Sequence, residues 1–135
     1  MHILIVNPNT SEGVTQRIQA AAEAVARPDD VFLTRSAAFG PSLIVTPEDA
    51  DVAVEGVRAT VRAATERIDG IVLASFGDTG AEEVRMERPH LPVMGIGSAA
   101  FSAARALGGR VGVVTFGPTL VPALCQMAEA NGLID

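Results

Sequence analysis

Four short stretches of small polar side chains stand just before helical patterns: Asn7-Pro8-Asn9-Thr10-Ser11, Ser75-Phe76-Gly77-Asp78-Thr79-Gly80, Gly95-Ile96-Gly97-Ser98 and Thr115-Phe116-Gly117-Pro118-Thr119. At a helix start, unpaired backbone N–H groups and nearby hydroxyls can hold a carboxylate or an imide-like oxygen. Taken singly, Thr10, Ser11, Ser98 and Thr119 are accounted for as N-caps. Four such segments on one rim point to a pocket. Other side chains invite chemistry less. Cys125 falls within a helical pattern beside Leu124 and Met127, away from any strand end, and reads as a small, partly buried packing residue. Asp78 reads as a cap of the helix beginning at Thr79 rather than a general base. His2 opens a strand, and His90 lies in a loop before Pro92.

The elements that would position the rim alternate between short apolar runs and longer amphipathic ones, the signature of βα units feeding a parallel sheet. Strands are expected at 2–7, 31–35, 70–75, 93–96 and 110–115. Ile71-Val72-Leu73-Ala74 and Val111-Gly112-Val113-Val114 are apolar at consecutive positions, as strands covered on both faces should be. Val14, Ile18, Ala21, Ala22 and Val25 mark one stripe of a first helix starting near Ser11. A second helix starts at Thr46-Pro47-Glu48-Asp49, with Thr46 as N-cap, Pro47 in the first turn and the acids complementing the dipole. Its buried stripe is Val54, Val57, Val61, Ala64 and Ile68. Further helices are expected at 79–88, 98–107 and 119–130, the last stopped by Asn131-Gly132. Residues 36–45, containing Gly40-Pro41-Ser42, are long for a βα loop and read as a flap over the site. The fold class is α/β, a three-layer α/β/α domain with a parallel, doubly wound sheet of four to five strands and ligands outside the carboxyl ends of the strands.

Composition narrows the function. With 135 residues, one domain is expected, and the 48% hydrophobic content comes with no Trp or Tyr, which suits helices packed closely on an aliphatic sheet. A net charge of -6 disfavours nucleic acid. All ten Lys+Arg positions are Arg, so the chain can form no lysine Schiff base and carries no P-loop lysine. One cysteine cannot close an internal disulfide, and no His/Cys cluster has zinc spacing, so neither a metal nor an oxidising compartment is expected. No run approaches the apolar length that spans a membrane and no basic leader precedes the first strand, so the cytoplasm is the expected location. Gly95-Ile96-Gly97-Ser98-Ala99-Ala100 reads as GxGxxA, but it follows the fourth strand rather than the first and no acid follows at the ribose-binding distance, so no dinucleotide is expected. A response-regulator receiver is set aside too, since it needs an acidic pair after the first strand and a Lys after the fifth.

The strings Met1-His2-Ile3-Leu4-Ile5-Val6-Asn7-Pro8-Asn9-Thr10-Ser11, Ala74-Ser75-Phe76-Gly77-Asp78, Val93-Met94-Gly95-Ile96-Gly97 with Ala99-Ala100, and Leu107-Gly108-Gly109-Arg110 leading to Val113-Val114-Thr115 follow one another in the order seen in hydantoin racemases. Gly40-Pro41-Ser42-Leu43-Ile44 resembles that family's substrate-side loop. Over most of its length the chain thus resembles the hydantoin racemase branch of the aspartate/glutamate racemase superfamily.

The resemblance implies a cofactor-independent racemase or isomerase of amino-acid derivatives such as hydantoins. In that family two similar lobes enclose the substrate, and one cysteine from each exchanges the α-proton on opposite faces. A thiol suits the task because its pKa can be brought near working pH. Position by position, the resemblance places Ser75 at the first lobe's cysteine and assigns substrate contacts to Asn9, Thr10, Thr115 and the backbone N–H groups of Phe76 and Gly77, the last two as an enolate-stabilising hole. A serine hydroxyl with no neighbouring His or Lys is a poor base. Val45 and Ser98 stand where many members carry acids. Residues 1–109 read as a first lobe, and residues 110–135 as the start of a truncated second lobe or a fifth βα unit packed on the first. The expected ligand is a small molecule with carboxylate or ureide/imide groups. An enzyme incomplete or inactive as this chain, a silent ligand-binding paralogue and a self-associating half-protein are the three functional alternatives.

Overall fold

The computed structural model describes residues 1–115 and 117–133. Strand β1 (His2–Asn7) leads into helix α1 (Glu12–Glu23), followed by β2 (Val31–Ser36), α2 (Pro47–Ala63), β3 (Gly70–Leu73), α3 (Ala81–Glu87), β4 (Val93–Gly95) and α4 (Ile96–Leu107). A short 3-10 turn, Pro118–Leu120, then opens α5 (Val121–Ala130). The four strands are all parallel, in the order β2-β1-β3-β4. Ile5 of β1 is in register with Thr34 of β2 and Val72 of β3, so β1 is central and its carboxyl end meets those of both neighbours.

Strand periodicity decides which side chains meet which helices. Leu4 and Val6 of β1 join Ile71 and Leu73 of β3 against Val57 and Val61 of α2 and Val84 of α3, and together these residues form the fully buried core cluster. Ile5 and Asn7 point to the other face. There the buried Asn7 amide reaches Thr15 of α1 at 2.9 Å, which places α1 opposite α2 and α3, as right-handed crossovers require. The sheet is thus covered on both sides, in three layers.

Local signals account for the helix starts unevenly. At α2 the expected cap is complete: Thr46 Oγ1 accepts the Asp49 N–H at 3.1 Å and the Asp49 carboxylate accepts the Thr46 N–H at 3.0 Å. The Val45 and Thr46 N–H groups hold the Asp49 carboxyl below the usual carboxylate range. The other expected caps differ. Ser11 precedes α1 but makes no side-chain cap bond, Ser98 lies inside α4 because that helix starts at Ile96, and Thr119 lies inside the 3-10 turn. Helix α1 also ends at Glu23, so Val25, expected on its buried stripe, is 78% exposed.

The expected fifth strand does not form. Residues 110–115 are irregular, and among the described residues β4 pairs only with β3. A wholly apolar run is stable as a strand only with a ladder partner and cover on both faces. Here Val114 is 99% exposed and Val111 and Val113 are each 45% exposed, so neither condition holds. Phe116, part of the expected polar segment after that strand, lies outside the described residues.

Candidate functional site

The carboxyl ends of β1 and β3 lie side by side and carry most of the predicted site residues. After β1 the chain is fixed by a buried amide. Asn7 Nδ2 lies 2.9 Å from Asn9 Oδ1, 2.9 Å from Thr15 Oγ1 and 3.3 Å from the Ser11 carbonyl, while Asn7 Oδ1 accepts the Asn9 N–H at 3.3 Å. The Ser11 carbonyl can only accept and the Asn9 N–H can only donate, so these two partners fix which end of the amide is which. Asn9 Oδ1 also takes the Ser11 N–H at 2.9 Å. Its own Nδ2 has no hydrogen-bond partner among the described residues. Thr15 continues the network to Ser36 Oγ at 2.6 Å, and Ser36 donates to Glu12 at 2.9 Å.

Thr10 is the second predicted contact on this strand end. Its N–H donates to the Pro41 carbonyl at 3.0 Å, which ties the loop after β2 to the rim. The same loop is held at Val45, whose carbonyl accepts the Thr119 hydroxyl at 3.2 Å, and at Ala38, whose N–H donates to Thr60 Oγ1 of α2 at 2.8 Å. Phe39 and Leu43 are half exposed on it.

After β3, Ser75 begins a tight turn closed by the Asp78 N–H on the Ser75 carbonyl at 3.1 Å. Ser75 Oγ accepts the Thr79 N–H at 3.2 Å and lies 3.2 Å from Thr79 Oγ1, to which it donates. Its proton therefore points to a second hydroxyl and not to a base. The Phe76 and Gly77 N–H groups make no hydrogen bond to any described residue.

Asp78 serves a different helix from the one expected. Its Oδ1 accepts the Gly97 N–H at 2.8 Å and its Oδ2 accepts the Ser98 N–H at 2.9 Å, with the Ser98 hydroxyl on the same oxygen. The carboxylate thus caps α4 from across the strand ends, while α3 starts from Gly80 at φ 82°. This also explains the glycines of the GxGxxA string. A Cβ on Gly95 would lie 2.0 Å from Asp78 Cγ, and one on Gly97 would lie 2.0 Å from the Phe76 carbonyl oxygen. Close packing against the β3 turn demands both.

Thr115 is not joined to Ser75 by any hydrogen bond. It lines a cleft of about 190 Å³ between α4 and α5 together with Phe101, Val111, Val113, Leu124 and Cys125. Cys125 is exposed there rather than partly buried. A larger cavity of about 360 Å³ lies between α1 and the edge strand β2, lined by Glu12, Thr15, Gln16, Gln19, Glu23 and Thr34 among others. Carboxyls held below their usual range serve surface contacts. Asp69 is lowered chiefly by the His2 N–H, and Glu87 chiefly by Arg62, with Arg58 beside it. Among the described residues no group of His, Cys, Asp and Glu is placed to hold a metal ion, and no helix is long and apolar enough to cross a membrane.

Sequence reasoning missed Asn7 as the organiser of the β1 end and Asp78 as the link between two strand ends. A signal for the first was present: Ile3, Ile5 and Asn7 share one strand face, and a polar residue on such a face needs buried partners.

Comparison with known proteins agrees with this arrangement. Residues 3–135 match the Asp/Glu/hydantoin racemase family. The chain is 31% identical to hydantoin racemase of Pseudomonas sp. (strain NS671) over 98% of its length and 53% of that protein, and 28% identical to hydantoin racemase of Paenarthrobacter aurescens over 98% and 56%. Among solved structures, allantoin racemase from Pseudomonas fluorescens superposes with a TM-score of 0.91 at 32% identity, covering 98% of this chain and 56% of the other. Allantoin racemase from Klebsiella pneumoniae gives 0.90 at 34%, covering 98% and 54%. The chain spans about half the length of the curated relatives it matches. With a parallel sheet in the order β2-β1-β3-β4, the polar rim on its strand ends and the match over residues 3–135, the chain belongs to the Asp/Glu/hydantoin racemase family.

Proposed function

We propose that this chain supplies one lobe's share of a cofactor-independent racemase site for amino-acid derivatives bearing carboxylate or ureide/imide groups, and that by itself it does not racemise them. The observation that carries this reading is the turn after β3: Ser75 stands there beside the unpartnered Phe76 and Gly77 N–H groups. In this reading those N–H groups hold the oxygen that gains charge as the α-proton leaves, and Asn9 and Thr10 orient the ligand's polar atoms. Thr115, in this reading, lines the interface between the lobes. Residues 1–109 act as the lobe. Residues 110–135 begin a second unit, a reading supported by the failure of residues 110–115 to extend the sheet.

Ser75 sets the limit on chemistry. Its hydroxyl bonds to Thr79, and among the described residues no imidazole or amine bonds to it to take its proton, so it is a poor base at neutral pH. The only thiol, Cys125, is in α5. The test is the optical rotation of an enantiopure 5-substituted hydantoin, corrected for spontaneous racemisation. No change above background is expected; turnover that disappears in Ser75→Ala would refute the proposal.

A second reading, that of a silent ureide-binding relative, is favoured by the same rim, because its donors do not depend on a thiol. Hydantoins, N-carbamoyl amino acids and dicarboxylates at millimolar concentration would then raise Tm as their concentration passes Kd. Absence of any shift across that panel would count against a retained pocket. Exposed Leu107, Val113 and Val114 support self-association, and a cytoplasmic location completes the proposal.

A further inference from the structure

We propose that Asp78 is a positioning residue: its carboxylate, seated on the first turn of α4, sets the Ser75–Phe76–Gly77 turn and so aims the Phe76 and Gly77 N–H groups at the ligand. The inference rests on the reading of that turn given above.

Four observations converge on it. Asp78 is the one described residue other than glycine with positive φ, at 50°. A side chain in that region costs energy unless the surroundings fix it, and Asp and Asn bear the cost best. The surroundings here do fix it, because the carboxylate takes the Gly97 N–H, the Ser98 N–H and the Ser98 hydroxyl. Bonds from ionised carboxylates to N–H donors are the stronger class. The neighbouring chain has been cleared to admit this contact. Only glycine at 95 leaves room for the Asp78 carboxylate, and only glycine at 97 leaves room for the Phe76 carbonyl. Finally, the Phe76 ring meets Phe101 of α4 edge-on, with centroids 5.4 Å apart at 66°. The turn is therefore held against α4 at the Asp78 carboxylate, at the Phe76 carbonyl and at the Phe76 ring, and the N–H groups of residues 76 and 77 make no hydrogen bond to any described residue.

Two consequences follow. The first N–H groups of α4 are already occupied by an internal carboxylate, so an external anion cannot use them without displacing Asp78. The ligand's oxygen must then rely on the β3 turn, whose geometry depends on Asp78.

Two substitutions separate the carboxylate from the backbone angle. Asp78→Asn keeps tolerance for positive φ and one acceptor oxygen but removes the charge and the second acceptor. Asp78→Gly removes the side chain and relieves the angle altogether. The probe is 5-methylhydantoin, titrated into the ¹⁵N-labelled chain, with Phe76 and Gly77 amide shifts giving Kd, Tm as the stability control, and amide exchange at Thr79 measured without ligand. We expect a saturable shift in the wild type, Kd weakened about tenfold in Asp78→Asn with Tm lowered by a few degrees, and a larger loss of binding in Asp78→Gly. Thr79 exchange should accelerate about tenfold in Asp78→Gly, while the core amides of Val57 and Val61 keep their rates. Gly95→Ala, which pushes the carboxylate aside without altering it, should weaken binding in the same way.

Wild-type Kd in Asp78→Gly would overturn the assignment. So would unchanged Thr79 exchange in that variant. If the wild type shows no shift at Phe76 or Gly77 under saturating probe, the ligand-binding reading falls instead, and the exchange rates alone decide whether Asp78 holds the turn.

Discussion

Replacing Asn7 by Asp exchanges an NH2 group for an oxygen at the most enclosed point of the rim. Asn7 is 1% exposed. In the native chain its Nδ2 is surrounded by acceptors: Asn9 Oδ1 at 2.9 Å, the Ser11 carbonyl at 3.3 Å and Thr15 Oγ1 at 2.9 Å. The carbonyl cannot reverse its role, and Asn9 Oδ1 is held in place by the Ser11 N–H. Only Thr15 could turn to donate, and since Ser36 gives its proton to Glu12, Thr15 would then abandon its 2.6 Å bond to Ser36 Oγ. An ionised carboxylate is thus left buried against oxygens, a situation that costs about 3–5 kcal/mol. At roughly 3 °C per kcal/mol for a domain of this size, Tm should fall by about 10–15 °C at neutral pH.

The penalty carries a pH signature with a definite sign. Burial and the facing acceptors disfavour the charged form, so the folded pKa of the new carboxyl rises above its unfolded value of about 3.9. Its protonated form can donate where the amide did. Stability is therefore retained below the unfolded value and lost as pH rises towards the folded one, by about 1.4 kcal/mol for every pH unit that separates the two. The assay is thermal melting of wild type and variant at matched pH from about 4 to 8, taking the difference at each pH so that other carboxylates cancel. The gap should be narrow in acid and widest above neutrality. A gap independent of pH, or one below about 1 kcal/mol throughout, would refute the buried-amide network.

Three other perturbations test separate parts of the structure. Gly56→Ala should gain about 1 kcal/mol of helix propensity in α2, but its Cβ would lie 2.1 Å from the Phe39 carbonyl oxygen; an overpacking cost of about 1–3 kcal/mol leads to unchanged or lower Tm, and a clear rise in melting scans would show that the loop does not sit there. Glu87→Gln removes the ion pairs to Arg58 and Arg62. Because the Glu87 pKa is lowered in the fold, chiefly by Arg62, its contribution is present above the ordinary Glu value and lost as pH falls through the folded value; the Tm difference, worth less than about 1 kcal/mol, should vanish in acid and shrink in high salt. In Ser75→Cys combined with Cys125→Ala, the Thr79 N–H favours a thiolate, so the rate of iodoacetamide alkylation should follow a pKa modestly below the free-thiol value of about 8.5; a thiol that does not react would remove position 75 from the site.

What the sequence reveals here depends on how local the cause is. Strand β1 runs from His2 to Asn7 around the apolar run Ile3 to Val6 that predicts it, and Thr46, Pro47 and Asp49 define the start of α2 within a few consecutive residues. The order of motifs, too, is readable without a structure, and it leads to the family. The features that escaped depend on a distant neighbour. Asp78 follows the pattern of a local cap, yet its partners are the N–H groups of Gly97 and Ser98, contributed by another βα unit. Gly95 and Gly97 look like a phosphate loop because periodicity cannot show whose atoms fill the space above them. The run at 111–114 has the composition of a central strand, but composition cannot supply the partner that a ladder needs, and Val114 remains exposed.

The bond between the Thr10 N–H and the Pro41 carbonyl bears on kinetics. That N–H lies on the rim, and a ligand wanting it must first break a 3.0 Å bond already made inside the chain. Occupation of the Thr10 amide and closure of the 37–46 loop are then mutually exclusive. A ligand that uses the Thr10 amide would bind only to molecules whose loop has opened, so its observed association rate would level off at the opening rate as concentration rises, whereas a ligand held by Asn9 and the β3 turn alone would show a rate that keeps climbing.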